Sequence, residues 1–380
     1  MHGANVGTNW FQISLKMRKL DGEDTEIRTK WCLSVQNKKG SSREIRGIHH
    51  KRRCEYYLIN MMQKLFQRYR EQSLEPHAST RIKDVLKEIQ KEEEFGDDEE
   101  EDVLEAILLD HVAFRTFKGL HHDGDEKHQF VNVKQMLMEK LRYRESGETL
   151  VFPKKKLKAT WLKPPTPLMP RVFLSEIDIE AFEDERMSAI VRKAISSREG
   201  GKGKGAVLED DFWEQKRDRF SLCENVSKDE YEYIAEKSEY AAWLLINGPE
   251  FVNHFALAMH RCRSEAFRVS SGEEMSRKIV ERIAKIAKLN GEEENRVMNV
   301  SEDRKLWQFS TVSDELIAVN GTGEKLKGCG AYIEFAYREY ISTGEGIEIE
   351  SRKNLEEDES KRRDGFEVAN ADAIFESTKV

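Results

Sequence analysis

A repeated order of predicted elements, β-α-β-β-β, constrains the fold of this chain more than any other feature of its sequence. In residues 103–178, the apolar, β-rich run VLEAILLDHVAFRTF precedes a helical pattern at 128–143 and three strand-like runs. In residues 251–340, a strand-like run at 251–259 precedes a helix and three further strand-like runs. Two such units commonly form a curved sheet around a cavity. We therefore predict an α+β fold in which two β-α-β-β-β modules enclose one site.

The helix of the second module carries its own start signal. Ser271 and Glu274 stand three residues apart, which is the spacing of a capping box, and the apolar pattern ends near residue 289 before an Asn-Gly pair. We therefore predict a helix between these limits. The strands that follow it are expected near residues 296–300, 306–312 and 330–337.

Four further segments flank or separate the modules. Residues 1–54 are predicted to be weakly structured and basic, and a targeting peptide is one interpretation that several acidic residues weaken. Residues 55–102 are predicted to be helical with an acidic loop at 91–102, where nine of the twelve residues are acidic. Residues 179–250 form a helical insertion. Its run GGKGKG is predicted to be a flexible loop, because it lacks the GxxxxGK[ST] pattern of a phosphate loop. Residues 341–380 form a C-terminal segment that closes the site.

Charge and cysteine content exclude several classes of protein. The net charge of -8 disfavours nucleic acid as the main partner. No apolar run approaches the ~18 residues of a membrane-spanning helix, and the N-terminal residues lack the apolar core of a secretory signal peptide. The five cysteines are scattered without a CxxC pair, which is typical of a reducing compartment. We predict an intracellular protein, in the cytoplasm or in an organelle such as a plastid or mitochondrion, and leave its oligomeric state open.

Alternation along three predicted strands places possible metal ligands on inward faces. His111 and His254 occupy equivalent places in the first strands of the two modules, and small residues follow each of them. Glu334 lies between Ile333 and Phe335 on the last strand, where a buried carboxylate is costly without a partner. Two histidines and one carboxylate form a facial triad that suits Fe(II), with Zn, Mn, Co and Ni left open.

Arg115 follows His111 by four residues on the same predicted face. Four residues of a strand span roughly 13 Å, and the long guanidinium can lean back toward a carboxylate whose other end lies at the metal. The pair would therefore select a short dicarboxylic acid. On the residues alone, each of these side chains can equally be a satisfied core residue, so both interpretations stay open at this point.

Several runs of the sequence, taken in order, resemble one enzyme family. They are DHVAFRTF, FPKKKLKATW, PRVFLSE, YAAWLLING, VNHFALAMHR, LWQFSTVSD, AYIEFAYRE and GFEVANADAIFEST. The family is that of the 2-oxoadipate dioxygenase/decarboxylases, also called 2-hydroxyglutarate synthases, and its plant-type branch is the most similar. The resemblance covers residues 103–378 and implies a fold similar to the vicinal oxygen chelate superfamily.

The resemblance also implies roles for individual residues. The family's substrate-binding arginine carries over onto Arg115, and its metal ligands carry over onto His111, His254 and Glu334. Fe(II) is the cofactor that this resemblance implies.

A further substrate contact of the family lies in its C-terminal segment and would fall near Ala369 and Asn370, where this chain differs from the bacterial enzymes in residue type. The implied reaction uses dioxygen to decarboxylate and hydroxylate a 2-oxo dicarboxylic acid, converting 2-oxoadipate to 2-hydroxyglutarate in lysine catabolism. Two alternatives remain. One is a metal-dependent lyase or isomerase of the vicinal oxygen chelate type. The other is a non-enzymatic regulatory protein that uses the acidic loop and the basic N-terminal segment.

Overall fold

Strands of both predicted modules belong to one curled sheet in the computed structural model of this chain. The structure describes residues 109–120, 132–167, 169–200, 220–249, 251–262, 267, 269–286, 298–311, 313, 315–330, 332–341 and 355–377. The predictions for residues 1–54 and 55–102 lie outside the described residues, as does most of the GGKGKG loop.

The helices and strands follow the predicted order along the chain, with one additional hairpin in the second module. The first module consists of β1 (Leu109–Phe117), α1 (Val133–Leu141), β2 (Arg144–Phe152), β3 (Leu157–Lys163) and β4 (Arg171–Ile177). The insertion contains α2 (Glu185–Gly200), α3 (Lys228–Lys237) and α4 (Glu239–Asn247). The second module consists of β5 (Val252–Ala258), α5 (Gly272–Ile286), β6 (Asn299–Val300), β7 (Leu306–Ser310), β8 (Glu315–Val319), β9 (Lys325–Cys329) and β10 (Tyr332–Arg338). The C-terminal segment contains α6 (Leu355–Ser360) and α7 (Val368–Ser377).

The order of the strands relates the two modules to each other. The eight-stranded sheet has the order β2-β3-β4-β1-β5-β10-β7-β6. In each module the first strand pairs in parallel with the last strand, and the two first strands pair antiparallel at the centre of the sheet. Val112 lies opposite Phe255 in that central pair, so an approximate two-fold axis passes between them. The predicted α+β class, with two β-α-β-β-β modules in one curved sheet, is confirmed.

Helices cover the sheet and close its open side. Every residue of β5 and β10 is buried, because elements pack on both faces of these two central strands. Helix α5 contacts β7 and β10, and α4 contacts β1. Helix α7 contacts β2 at one edge of the sheet and both β6 and β7 at the other edge. One helix can reach both edges only because the sheet curls around it. None of the described helices has the length and apolar character that crossing a bilayer requires.

The start of α5 shows the predicted cap in a modified form. The Ser271 hydroxyl accepts a hydrogen bond from the Glu274 backbone N–H at 3.1 Å, as expected of an N-cap. The Glu274 carboxylate, however, accepts from the backbone N–H of Ser270 at 2.7 Å, one residue before the N-cap. Both bonds satisfy donors at the helix start, so the sequence signal located the right turn of the chain.

The hairpin of β8 and β9 was not predicted from the sequence. Its turn is organised by Asn320, whose Oδ1 accepts from the backbone N–H groups of Thr322 and Glu324 at 3.1 and 2.8 Å. The Asn320 amide also donates to the Val226 carbonyl at 2.9 Å. Because β9 contacts α3 and α4, the hairpin ties the helical insertion to the second module.

Candidate metal centre

Three buried side chains converge from three neighbouring strands at the centre of the sheet. His111 lies on β1, His254 on β5 and Glu334 on β10. The Nε2 atoms of the two histidines are 3.2 Å apart, and Glu334 Oε2 lies 3.6 Å from His111 Nε2 and 3.3 Å from His254 Nε2. The structure therefore brings together the three residues that the sequence analysis predicted to bind a metal.

The spacing of these atoms fits a single metal ion. An ion about 2.1 Å from three ligand atoms requires them to be roughly 3.0 Å apart for right-angle geometry and roughly 3.4 Å apart for tetrahedral geometry. The separations of 3.2 and 3.3 Å fall within this range, and that of 3.6 Å, between His111 and Glu334, exceeds it slightly. Among the described residues, this is the group of histidine, cysteine and carboxylate side chains able to hold a metal ion.

The tautomers of the two histidines strengthen the case for a cation. His111 Nδ1 lies 2.8 Å from Asp110 Oδ1, and His254 Nδ1 lies 2.9 Å from Asn253 Oδ1. Since both partners accept, each Nδ1 carries a proton, and the two Nε2 atoms face each other and Glu334. In the metal-free protein a second proton on His111, whose pKa is raised by Glu334 and Asp110, reduces the repulsion among these groups, and a bound metal cation would take its place.

Asp110 and Asn253 reach their histidines through matching irregularities of the central strand pair. Leu109 and His111 lie opposite consecutive residues of β5, so Asp110 is the extra residue of a bulge in β1. The same kind of shift on β5 makes Asn253 the extra residue there. A bulge re-aims a side chain that strict alternation would send to the other face. Each histidine is thus held by the residue that precedes it.

Asp110 is in turn anchored by buried arginines. Arg338 donates to both carboxylate oxygens of Asp110, at 2.6 and 2.9 Å, and Arg171 lies 3.8 Å away. Burial alone would raise the pKa of Asp110, but Arg338 and the hydrogen bond with His111 hold it well below its usual range. Asp110 therefore stays charged and makes His111 the more electron-rich of the two imidazoles.

The three converging side chains share one strongly coupled electrostatic environment. Burial lowers the pKa of His254 to about 4, so this imidazole is neutral near pH 7. Burial opposes charge on His111 as well, but the Glu334 carboxylate and Asp110 outweigh it and raise the pKa of His111 to about 9. Despite burial, His111 and His254 lower the pKa of Glu334 to about 2. Glu334 and Asp110 are thus charged around the two imidazoles, and this favours a bound cation.

The second oxygen of Glu334 is held by Gln308, a residue that the sequence analysis missed. The Gln308 amide donates to Glu334 Oε1 at 2.5 Å, which leaves Oε2 facing the histidines. Gln308 lies on β7, the antiparallel neighbour of β10. No local pattern in the sequence identifies it, because its role depends on strand register.

Of the two predicted C-terminal contacts, the structure brings only Asn370 close to this network. Its amide donates to Gln308 Oε1 at 3.0 Å and to the Leu306 carbonyl at 3.4 Å. Ala369 lies on the exposed side of α7. The residues of α7 that face the cavity are Ala371, Ile374 and Phe375.

Arg115 is a buried cation in an aromatic cage. Its guanidinium carbon lies 4.7 Å from the ring centre of Tyr240, 5.2 Å from that of Trp243 and 5.6 Å from that of Phe375. Among the described residues no ion pair involves Arg115, and its buried Nε atom has no hydrogen-bond partner there. A buried guanidinium without an anion is a suitable site for a ligand carboxylate.

The three converging side chains line one cavity. Its walls are mostly apolar and include Phe173 from β4 and Phe366, Ile374 and Phe375 from the C-terminal segment. Phe375 also belongs to the cage of Arg115, so the cage adjoins the cavity. The arrangement can therefore hold a ligand that meets a metal ion at one end and a guanidinium at the other.

Comparisons with known proteins agree with this geometry. The family model described as 2-oxoadipate dioxygenase/decarboxylase matches residues 61–353, and so begins earlier than the resemblance seen in the sequence. The chloroplastic 2-oxoadipate dioxygenase/decarboxylase of Arabidopsis thaliana is 33% identical over 289 residues, which are 72% of this chain and 69% of that protein. The chloroplastic/amyloplastic enzyme of Oryza sativa subsp. japonica is 34% identical over 286 residues, with the same coverage of both chains.

A solved structure shows the same fold. The crystal structure of hydroxyglutarate synthase from Oryza sativa in complex with 2-oxoadipate superposes with a TM-score of 0.59. It is 24% identical and covers 85% of this chain and 93% of its own. The vicinal oxygen chelate-like fold predicted from the sequence is confirmed.

Proposed function

The chain belongs to the 2-oxoadipate dioxygenase/decarboxylase family, and we propose that it converts 2-oxoadipate to 2-hydroxyglutarate with Fe(II) and dioxygen. The observation that supports this most is the pairing of two features at one cavity. Three ligand atoms converge at its floor, and a buried arginine without a carboxylate partner lies beside it. A dicarboxylic acid with a metal-binding 2-oxo end suits both features.

Fe(II) is the ion we propose for the three-residue site. Two imidazoles and one carboxylate on one face are the ligand set typical of non-haem iron oxygenases. When bound, the ion would supply Lewis acidity toward the 2-oxo acid and redox chemistry toward dioxygen. His111, His254 and Glu334 would hold it, while Asp110 and Asn253 orient the imidazole rings.

The remaining chemistry is the work of the chain's own side chains. Arg115 would bind the distal carboxylate and so orient the acid along the cavity. The apolar walls, including Phe173 and Phe366, would exclude water while the reaction proceeds. The reaction balances with one oxo acid and one dioxygen yielding one carbon dioxide and one hydroxy acid. One oxygen atom enters the new carboxylate and the other enters the new hydroxyl group, so no separate reductant is needed.

Oxygen uptake tests this function directly. Full-length protein loaded with Fe(II) under anaerobic conditions is mixed with aerated buffer and one of several 2-oxo acids. We expect 2-oxoadipate to be consumed with equal amounts of dioxygen taken up and carbon dioxide released, and with 2-hydroxyglutarate as the product. The absence of oxygen uptake with every 2-oxo diacid would exclude the proposal. Turnover of an oxo acid by Zn- or Ni-loaded protein without dioxygen would indicate the lyase or isomerase alternative.

The plant relatives also support a location. Both carry chloroplastic in their names, and we propose that this chain likewise functions in a plastid. A fluorescent protein fused behind residues 1–54 should enter plastids of plant cells, and a diffuse cytoplasmic signal would contradict that location.

A further inference from the structure

Two amide side chains connect the C-terminal helix α7 to the proposed metal ligand Glu334. Asn370 Nδ2 donates to Gln308 Oε1 at 3.0 Å, and Gln308 Nε2 donates to Glu334 Oε1 at 2.5 Å. All three side chains are nearly excluded from solvent, with exposed fractions of 2–3%. The connection is therefore a buried relay between an element that closes the cavity and a residue on its floor.

Groups that can only accept hydrogen bonds determine the direction of this relay at both of its ends. At one end, the Leu306 carbonyl also faces Asn370 Nδ2, at 3.4 Å, and a carbonyl cannot donate. Asn370 must therefore present its NH₂ group to this side and to Gln308. At the other end, ionised Glu334 requires a donor, so Gln308 must present its NH₂ group there. A reversed amide at either position would place two acceptors in contact, at a cost of about 1–3 kcal/mol for a buried group.

We infer that Asn370 and Gln308 are positioning residues that hold Glu334 with one oxygen aimed at the two histidines, so that docking of α7 orients a metal ligand. This inference rests on the proposed metal site. It gives Asn370 a role different from the direct substrate contact that the family resemblance implies for this position. It also makes the closing segment part of the metal site without contributing a ligand.

The alternative, direct contact between Asn370 and the substrate, predicts a different pattern. The cavity lining includes Gln308 and, from α7, Ala371, Ile374 and Phe375, but it does not include Asn370. A residue that binds substrate would alter the KM for the oxo acid and leave metal affinity unchanged. A residue that acts through Gln308 would alter metal affinity in the absence of any substrate.

Titration of metal-free, full-length protein with Co(II) separates these roles, because the d–d absorption of Co(II) reports both affinity and ligand geometry. Asn370→Asp keeps the shape of the side chain but removes its donor, so Gln308 should rotate and turn its oxygen toward Glu334. Gln308→Met removes the donor to Glu334 at nearly constant volume. We expect each variant to bind Co(II) about 10- to 100-fold more weakly than the parent protein, with an altered absorption band.

The double variant provides the decisive comparison. If Asn370 acts through Gln308, adding Asn370→Asp to Gln308→Met should weaken Co(II) binding no further. Asn370→Ala removes the donor to Gln308 but adds no acceptor that would force Gln308 to rotate. It should therefore have a smaller effect than Asn370→Asp. It also keeps the test usable should the buried aspartate prevent folding.

Asn320→Asp is a matched control, because Asn320 is also a buried asparagine that donates to two acceptors. It lies in the turn between β8 and β9, which form a two-stranded sheet separate from the sheet that carries the relay. This variant should bind Co(II) as the parent protein does. Parent-like affinity in the Asn370 variants, full additivity in the double variant, or an equal loss in Asn320→Asp would each overturn the inference. Failure of the parent protein itself to bind Co(II) would instead overturn the proposed metal site, and the positioning role with it.

Discussion

The two modules share a backbone plan but differ in the side chains at their equivalent positions. The two-fold relation of β1 and β5 makes His111 equivalent to His254, and Asp110 equivalent to Asn253. Across the parallel neighbours, however, Ala113 lies opposite Phe173 in the first module, whereas Ala256 lies opposite Glu334 in the second. The first module therefore contributes one ligand and an apolar wall, while the second contributes two ligands.

A second difference makes the two ends of the cavity chemically unlike. Arg115 on β1 is equivalent to Ala258 on β5. The caged cation therefore exists on one side of the two-fold axis only. A symmetric backbone can place ligands around one ion, but a substrate with two unlike ends requires unlike residues. We interpret the repeated fold as the source of the site and the substitutions between modules as the source of its selectivity.

The largest expected effect concerns the pair of residues that the modules have in common. His111→Ala and His254→Ala should each weaken Co(II) or Fe(II) binding by more than about 100-fold. Even the loss of a residue that only hydrogen-bonds to a metal ligand usually lowers metal affinity 10- to 100-fold. Metal titration and oxygen uptake measure this loss. His260→Gln removes another buried histidine, outside the three-residue site, and should retain metal binding. Strong binding by either alanine variant would mean that the modules do not share one ion.

The next prediction compares the two residues that hydrogen-bond to the histidines, which are charged Asp110 for His111 and uncharged Asn253 for His254. Asp110→Asn should destabilise the protein by roughly 3–5 kcal/mol, because it leaves buried Arg338 without its carboxylate. Urea unfolding of metal-free protein measures this change. Asn253→Ala, which removes the equivalent but uncharged partner, should cost only about 1–3 kcal/mol. Equal losses in the free energy of unfolding would show that the charge of Asp110 contributes nothing beyond what uncharged Asn253 contributes at the equivalent position.

A smaller effect tests the direction of the cavity. Arg115→Met should keep metal affinity and lower kcat/KM for 2-oxoadipate by roughly 100-fold, through loss of a charge-assisted contact of about 2–3 kcal/mol. The loss should be much smaller with a 2-oxo monocarboxylic acid of the same length, which has no distal carboxylate to bind. Similar losses with both acids would contradict a carboxylate-binding role.

The smallest effect concerns the buried ion pairs that connect Glu359 in the C-terminal segment to residues of both modules. Glu359 accepts from Arg261 and His260 at 3.0 Å each, and Arg171 lies 3.4 Å away. Burial alone would raise the pKa of Glu359, but these three side chains hold it well below its usual range. Because the folded-state pKa is depressed, the stabilisation is fully present above a normal glutamate pKa of about 4.3 and is lost as pH falls through the folded value.

Glu359→Gln should therefore lower the free energy of unfolding by about 1.5–3 kcal/mol at pH 7. Urea unfolding over a pH series should show wild type and variant converging as the pH falls below about 4. Glu315→Gln breaks an exposed pair with Lys327 and should have little effect at any pH. A gap between Glu359→Gln and wild type that stays constant from pH 7 to pH 3 would contradict this account.

Much of the site followed from local patterns. Alternation along β1, β5 and β10 predicted that His111, His254 and Glu334 share an inward face, and the structure places them there. The repeat is visible even in residue type, since DHVAF in the first module matches NHFAL in the second. That match contains Asp110 and Asn253 as well, but strict alternation assigns them to the opposite face.

What the sequence by itself determined is the order of elements and the periodicity that sends particular side chains inward, because both depend only on neighbours along the chain. The tertiary structure alone decided the bulges at Asp110 and Asn253, the relay through Gln308 and the cage around Arg115. Each of these depends on register between strands or on contact between elements far apart in sequence. The aromatic cage combines β1, the helical insertion and α7, so no local pattern can specify it.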